Sequence, residues 1–139
     1  MTKLRELYNV AHIDAQNCNC LIENAQHDSA VVSQGYLAAG IIISAKFLFN
    51  PLTKIKLFND GKKRLEDLIA QNPRAYELFY IRYSIQKNTP SFLGYNRNLN
   101  TDRMILVNFF ENSNDQILKD HILFYLQNTD DLWPELTKS

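Results

Sequence analysis

Two cysteines, Cys18 and Cys20, and three histidines, His12, His27 and His121, are the residues of this chain best suited to metal or nucleophile chemistry. The cysteines lie two apart, which on a helix turns them about 200° from one another. So placed, they neither share a metal ion nor bridge each other without unwinding the helix. His12 and His27 complete no zinc-ligand spacing with them. The spacing predicts ordinary packed or surface thiols, no metal and no cofactor. His121 falls on an apolar run, where a satisfied core histidine is the expected role rather than a general base. The chain has no glycine-rich phosphate loop, no nucleophile elbow and no His-Glu metal motif, so it reads as a non-enzyme.

A second group of polar and aromatic residues is denser: Glu77, Tyr80, Arg82, Tyr83, Gln86, Phe92 and Tyr95. Glu77 and Arg82 are five apart, about 140° around a helix, so each needs a partner from another element. The group reads either as a buried charge network built for structure, the preferred reading, or as a ligand site. Tyr76, Tyr80 and Tyr83 form a stripe that fits a core edge better than a ligand platform.

The elements that must hold these residues are helical almost throughout. A first helix covers about Thr2 to Asp14, with Leu4, Leu7, Tyr8 and Ala11 inward. A second runs from Ala15 to Gln26, unless the two are continuous. Asp28 or Ser29 caps a third, Ala30 to Phe49, whose small residues Gly35, Ala38, Ala39 and Gly40 allow close approach by a neighbour. Asn50-Pro51 opens a fourth helix, Pro51 to Gln71, with Leu52, Ile55, Phe58, Leu65, Leu68 and Ile69 apolar. Its Lys54, Lys56, Lys62, Lys63 and Arg64 read as a solvated face rather than a binding site. Gly61 is expected to pack on the third helix, against Gly35 or Ala39. A fifth helix spans Pro73 to Lys87, apolar on nearly every side and so expected between neighbours.

From Asn88 to Asn98 the helical pattern fails. Pro90 and Gly94 punctuate it, while Phe92, Leu93 and Tyr95 give it more apolar weight than a linker carries. Phe92 and Leu93 are expected to be buried, with Arg82 holding loop carbonyls. A sixth helix follows from Asn98 to Glu111, with Met104, Ile105, Val107, Phe109 and Phe110 apolar. Ser113 and Gln116 form a capping-box pattern for a seventh, Asn114 to Gln127. Ile117, Leu118, His121, Ile122, Phe124, Tyr125 and Leu126 supply its buried face. Residues 128–139 read as a tail anchored by Trp133. The expectation is an all-α chain of six or seven helices in antiparallel hairpins, with one domain over residues 1–127.

Composition sets outer limits. Lys+Arg and Asp+Glu number 15 each in the 139 residues, so no net field draws nucleic acid or an anionic surface. The most apolar stretch, Ala30 to Phe49, is broken by Ser33, Gln34, Ser44 and Lys46 and reads as a buried central helix, not a membrane span. No signal peptide is legible at the start.

Gly61, Leu65, Leu68 and Pro73 resemble the second helix of a degenerate tetratricopeptide repeat, although Leu68 is bulky where that family favours alanine and no second copy is clear. A longer pattern reads Asn50-Pro51, Gly61-Lys62, Pro73 and Glu77-Leu78-Phe79-Tyr80-Ile81-Arg82. It continues through Gln86, Pro90 and Phe92-Leu93-Gly94-Tyr95 and ends near Asp102. Over about Gly35 to Val107 it resembles a group of small, helical, uncharacterised bacterial proteins. Many of that group begin with a signal peptide, which makes this chain either a mature exported form or a cytoplasmic relative. The resemblance implies a fold and no activity. The functional expectation is a protein–protein interaction or scaffold domain that binds a protein or peptide, with oligomeric state open. The alternative is a small ligand bound under the 88–98 loop.

Overall fold

Side-chain caps set where several of these helices begin. The Asp14 carboxylate accepts from the Asn17 N–H at 2.7 Å, which starts a new helix at Ala15 and breaks the first at Val10. Asn50 Oδ1 accepts from the N–H groups of Leu52 and Thr53, and Pro51 fills the first helical position, where no amide donor is lost. The computed structural model describes residues 2–129 together with Trp133 and Leu136, so most of the expected tail lies outside the described residues. The chain is all-α. Among the described residues it forms seven α-helices, two 3-10 turns and no strand.

The chain divides into two compact units, Met1–Ile81 and Arg82–Ser139. The first contains α1 (Thr2–Val10), α2 (Ala15–Gln26), α3 (Val31–Ser44), α4 (Pro51–Gln71) and the start of α5 (Tyr76–Asn88). Successive helices α1 to α4 pack as antiparallel hairpins, and α3 is their centre. Every residue of α3 from Gly35 to Gly40 is buried. Its small residues serve different neighbours. Gly35 faces Leu78 and Ile81 of α5, Gly40 faces Leu21 and Ile22 of α2, and Ala38 and Ile42 face Gly61 of α4. Gly61 therefore packs on α3 as expected, but one helical step from Gly35 and Ala39. Gly35 is already committed to α5.

Several boundaries move from their expected places. Helix α3 stops at Ser44 because Ala45–Phe47 tighten into a 3-10 turn and Leu48 is extended. Its start has no side-chain cap on Ala30. Asp28 instead accepts from the Ala30 N–H and the Ser33 hydroxyl, which holds its carboxyl below the ordinary range. Helix α5 begins at Tyr76, since residues 72–75 make a turn closed from the Ala75 N–H to the Asn72 carbonyl. On α4, Leu52 and Ile55 are exposed and only Phe58, Gly61, Leu65 and Ile69 are buried: the inward stripe starts two turns in.

The second unit holds the rest of α5, a 3-10 turn at Ser91–Leu93, α6 (Leu99–Asn112) and α7 (Gln116–Thr129). Helix α7 starts two residues later than expected. The Asp115 carboxylate accepts from the Leu118 N–H, while Ser113 accepts from Asp115. Met104, Ile117 and Phe124 are exposed, against expectation. The buried stripes run instead through Leu106, Val107 and Phe109 on α6, and through Leu118, His121, Ile122 and Leu126 on α7. Ile117 and Phe124, seven apart, lie together at the edge of that stripe, each three or four residues from His121. Trp133 is buried against the Tyr83 ring, with centroids 5.4 Å apart at 88°, and the Arg103 guanidinium lies over its indole.

A Cβ at Gly61 would stand 2.9 Å from the Ala38 carbonyl oxygen and 3.0 Å from the Ile42 nitrogen, backbone atoms that cannot rotate away. Helix propensity alone favours Gly61→Ala by about 1 kcal/mol. Overpacking costs roughly 1–3 kcal/mol and outweighs it. Gly61→Ala should therefore lower the denaturant midpoint without changing the slope, and a raised midpoint would place Gly61 outside the helix contact.

Candidate functional site

The polar residues singled out from sequence separate between the two units. In the first, Glu77 ties three helices together. Arg5 of α1 donates to its carboxylate from Nε and Nη2, at 2.8 and 2.7 Å, and the Tyr36 hydroxyl of α3 donates to the same group. The paired donors and fork geometry suit a guanidinium–carboxylate contact. Hydrogen bonding to Glu77 raises the Arg5 pKa above its ordinary value, against the effect of burial. Burial, with the nearby Glu77 charge, pushes the Tyr36 phenol well above 10.0. Tyr8 packs beside this cluster, its ring 5.2 Å from Tyr36 and 6.3 Å, edge-on, from Tyr80. Tyr80 is buried, whereas Tyr76 at the helix start is exposed, so the tyrosine stripe is a core edge for only part of its length.

In the second unit Arg82 meets Asp102 of α6 in the same bidentate way, Nε and Nη2 donating at 2.8 and 2.7 Å. Asp102 is fully buried and Arg82 nearly so. Arg82 was expected to hold loop carbonyls. The bonds described for it run to Asp102, and Gln86 braces the loop. The Gln86 side chain accepts from the Asn98 N–H at 3.0 Å and donates to Asn98 Oδ1 at 2.9 Å, closing both polar ends of one amide on one residue.

The loop between them has a defined shape. Asn88 donates to the Ser84 carbonyl and to the Tyr125 hydroxyl, and Thr89 donates to the Ile85 carbonyl. Gly94 closes the 3-10 turn at φ 70°, a left-handed conformation that other residues reach only at a cost of about 1–2 kcal/mol. Tyr95 is buried beneath it. Phe92 is not. Its side chain is 85 % exposed and Leu93 is half-buried, which overturns the expectation that both are core. The loop is anchored by its polar flanks and by Tyr95, so Phe92 is free to face water.

Cys18 is buried and donates its thiol to the Gly40 carbonyl at 3.2 Å, while Cys20 is half-buried. Desolvation pushes the Cys18 thiol up to about 11, only partly offset by the Lys46 charge, so at neutral pH it is a small packed donor rather than a nucleophile. Among the described residues no group of three His, Cys, Asp or Glu side chains is placed to hold a metal ion. No helix among them is long and apolar enough to cross a membrane.

Sequence reasoning missed Arg5, Tyr36 and Asn98 as members of these networks and met Asp102 only as the end of a shared pattern. Their common signal is weak. Each is a partner demanded by a buried charge or amide, and helix periodicity does not say which residue of another helix supplies it. Compared with known protein families, curated proteins and solved structures, the chain matches none.

Two outcomes follow from this geometry. Asp102→Ala leaves the Arg82 guanidinium buried without its carboxylate and should cost about 3–5 kcal/mol, read as a drop in the urea midpoint. On the alkaline side, Cys18 and Tyr36 both bind their protons more tightly folded than unfolded. Stability is then complete below the unfolded thiol value near 9.0 and falls as pH rises through about 11. Tyr36 extends the fall above 10.0. In Cys18→Ala the decline should begin nearer pH 10, which thermal melts across that range would detect.

Proposed function

We propose that the chain is a non-catalytic protein-binding domain built on degenerate helical hairpins, with Phe92 as an anchor for its partner. The observation that carries this reading is the contrast within the 88–98 loop. Its flanks are pinned by Gln86, Asn88, Thr89 and Asn98, and Tyr95 is buried, yet the largest apolar side chain between them stands in water. An aromatic side chain displayed on a pre-shaped loop loses little conformational freedom on binding and can fill a partner's pocket, as interface hot spots do. Glu77 and Arg82, the charges best placed for chemistry, hold Arg5, Tyr36 and Asp102, which supports a structural role for both. The alternative of a small ligand beneath the loop draws on less. Arg82 and Gln86 already engage Asp102 and Asn98, which leaves Tyr95 as its main support. The likeness to small helical bacterial proteins fits a scaffold but names no partner.

Phe92→Ser should leave stability within about 0.5 kcal/mol of the parent, since the side chain is exposed. In affinity purification from the native host, quantified by mass spectrometry, it should lose a protein that the parent chain retains. Equal recovery by both chains would remove Phe92 from the interface. Retention of a small molecule instead, dependent on Tyr95, would favour the ligand reading.

A further inference from the structure

Trp133 is the single tryptophan of the chain and lies beyond the end of α7 at Thr129, yet it is only 2 % exposed. Its indole sits in a slot made by side chains from two helices of the second unit. Tyr83 of α5, itself buried, meets the ring edge-on, and its hydroxyl accepts from indole Nε1 at 3.4 Å. Arg103 of α6 lays its guanidinium over the indole, 5.6 Å from the ring centroid. The two differ in kind. Tyr83 is fixed among core residues, whereas Arg103 is half-buried and reaches the indole on a long rotatable stem. The slot therefore has a rigid floor and a movable cover. Just past the indole the chain turns, with the Leu136 N–H donating to the Trp133 carbonyl at 3.0 Å. In sequence, Trp133 is the centre of Asp130-Asp131-Leu132-Trp133-Pro134-Glu135-Leu136, which holds three acidic residues and no basic one.

We propose that Tyr83 and Arg103 form a recognition slot for a tryptophan-centred acidic peptide, and that the chain's own segment around Trp133 fills it in cis as a releasable latch. The match between slot and occupant carries the inference. An indole offers one N–H donor at its edge and an electron-rich face. The slot offers one acceptor oxygen to that edge and one cation to that ring. An aliphatic plug would fill the same space and use neither. Release is feasible because both contacts are modest. The Nε1 to hydroxyl distance lies beyond the usual span of about 2.7–3.2 Å. Arg103 already reaches solvent, so opening the slot strands no buried ion, in contrast to parting Arg82 from Asp102. A short tether to α7 gives the segment an effective concentration of about 1 mM, which a competing peptide must overcome. The proposal does not depend on Phe92.

The test uses the whole chain as Trp133→Ala, which removes its only tryptophan, and a fluorescein-labelled synthetic peptide of residues 130–139 as the probe. Fluorescence anisotropy should show the peptide binding Trp133→Ala, and binding the parent, whose slot is filled, about tenfold more weakly. The emission of the unlabelled peptide's indole should shift to the blue as it enters the slot of Trp133→Ala. Arg103→Gln added to Trp133→Ala should weaken binding about threefold, and a peptide carrying Trp133→Ala should not bind. In the parent, tryptophan emission should move to the red at lower urea than helical circular dichroism is lost, because the latch opens before the helices unfold. The proposal falls if Trp133→Ala folds but does not bind the peptide, if it binds no better than the parent, or if Arg103→Gln changes nothing. It falls equally if Trp133→Ala loses its cooperative melt or if the two urea transitions coincide, since the indole is then a permanent part of the core.

Discussion

The close approach of backbones to helix α3 is the constraint on which the first unit depends. Three helices meet α3 at positions where side chains have been reduced to hydrogen or methyl: α5 over Gly35, α4 through its own Gly61 against Ala38, and α2 over Gly40. None of these contacts tolerates a larger residue without moving a neighbour. Helix α3 is buried without a break from Gly35 to Gly40, and between Val31 and Ser44 it carries no charged residue. Its polar atoms are correspondingly used: Ser33 donates to Asp28, Tyr36 donates to Glu77, and the Gly40 carbonyl accepts from Cys18.

Two bidentate guanidinium–carboxylate pairs repeat one solution, one in each unit, Arg82–Asp102 buried on both sides and Arg5–Glu77 with its guanidinium partly exposed. A buried ion pair is weak evidence of net stability, because the desolvation of both ions consumes much of the Coulomb attraction. Its stronger effect is on specificity: Arg5 and Glu77 accept one register of α1 against α5, and Arg82 and Asp102 one register of the second half of α5 against α6. Directional contacts of this sort suit helices whose apolar faces are broad, since α5 is buried from Glu77 through Gln86 and its hydrophobic surface alone would not choose among rotations.

Buried and exposed apolar residues then divide the molecule by role. The residues that hold the fold are aliphatic, small or aromatic, with Tyr36 and Tyr80 among the largest fully buried side chains. Of those left in water, Phe49 and Leu52 in the first unit and Phe92 in the second occupy turns or a helix start, whereas Met104 and Phe124 lie within helices. Large exposed apolar side chains on well-formed turns mark contact surfaces more often than core errors, because removing them would cost the fold nothing.

Much of this was legible in the residues themselves. Local chemistry determined the helical class, the Asn50-Pro51 start, the Ala15–Gln26 helix and the close packing of Gly61, since caps, glycine and 3.6-residue periodicity act over a few positions. The same periodicity misplaced Leu52, Ile55, Met104, Ile117 and Phe124, because a sequence stripe shows that a residue is apolar and not whether a neighbour reaches that far along the helix. Phe92 was misjudged for a related reason. The loop's polar braces come from Gln86 and Asn98, twelve residues apart, and once they and Tyr95 fix its shape, Phe92 is not needed inside. The partners of Glu77 and Arg82 were beyond sequence altogether. A buried charge demands a counter-charge, but only tertiary packing decides that Arg5, 72 residues before Glu77, and Asp102, 20 after Arg82, are the ones that arrive.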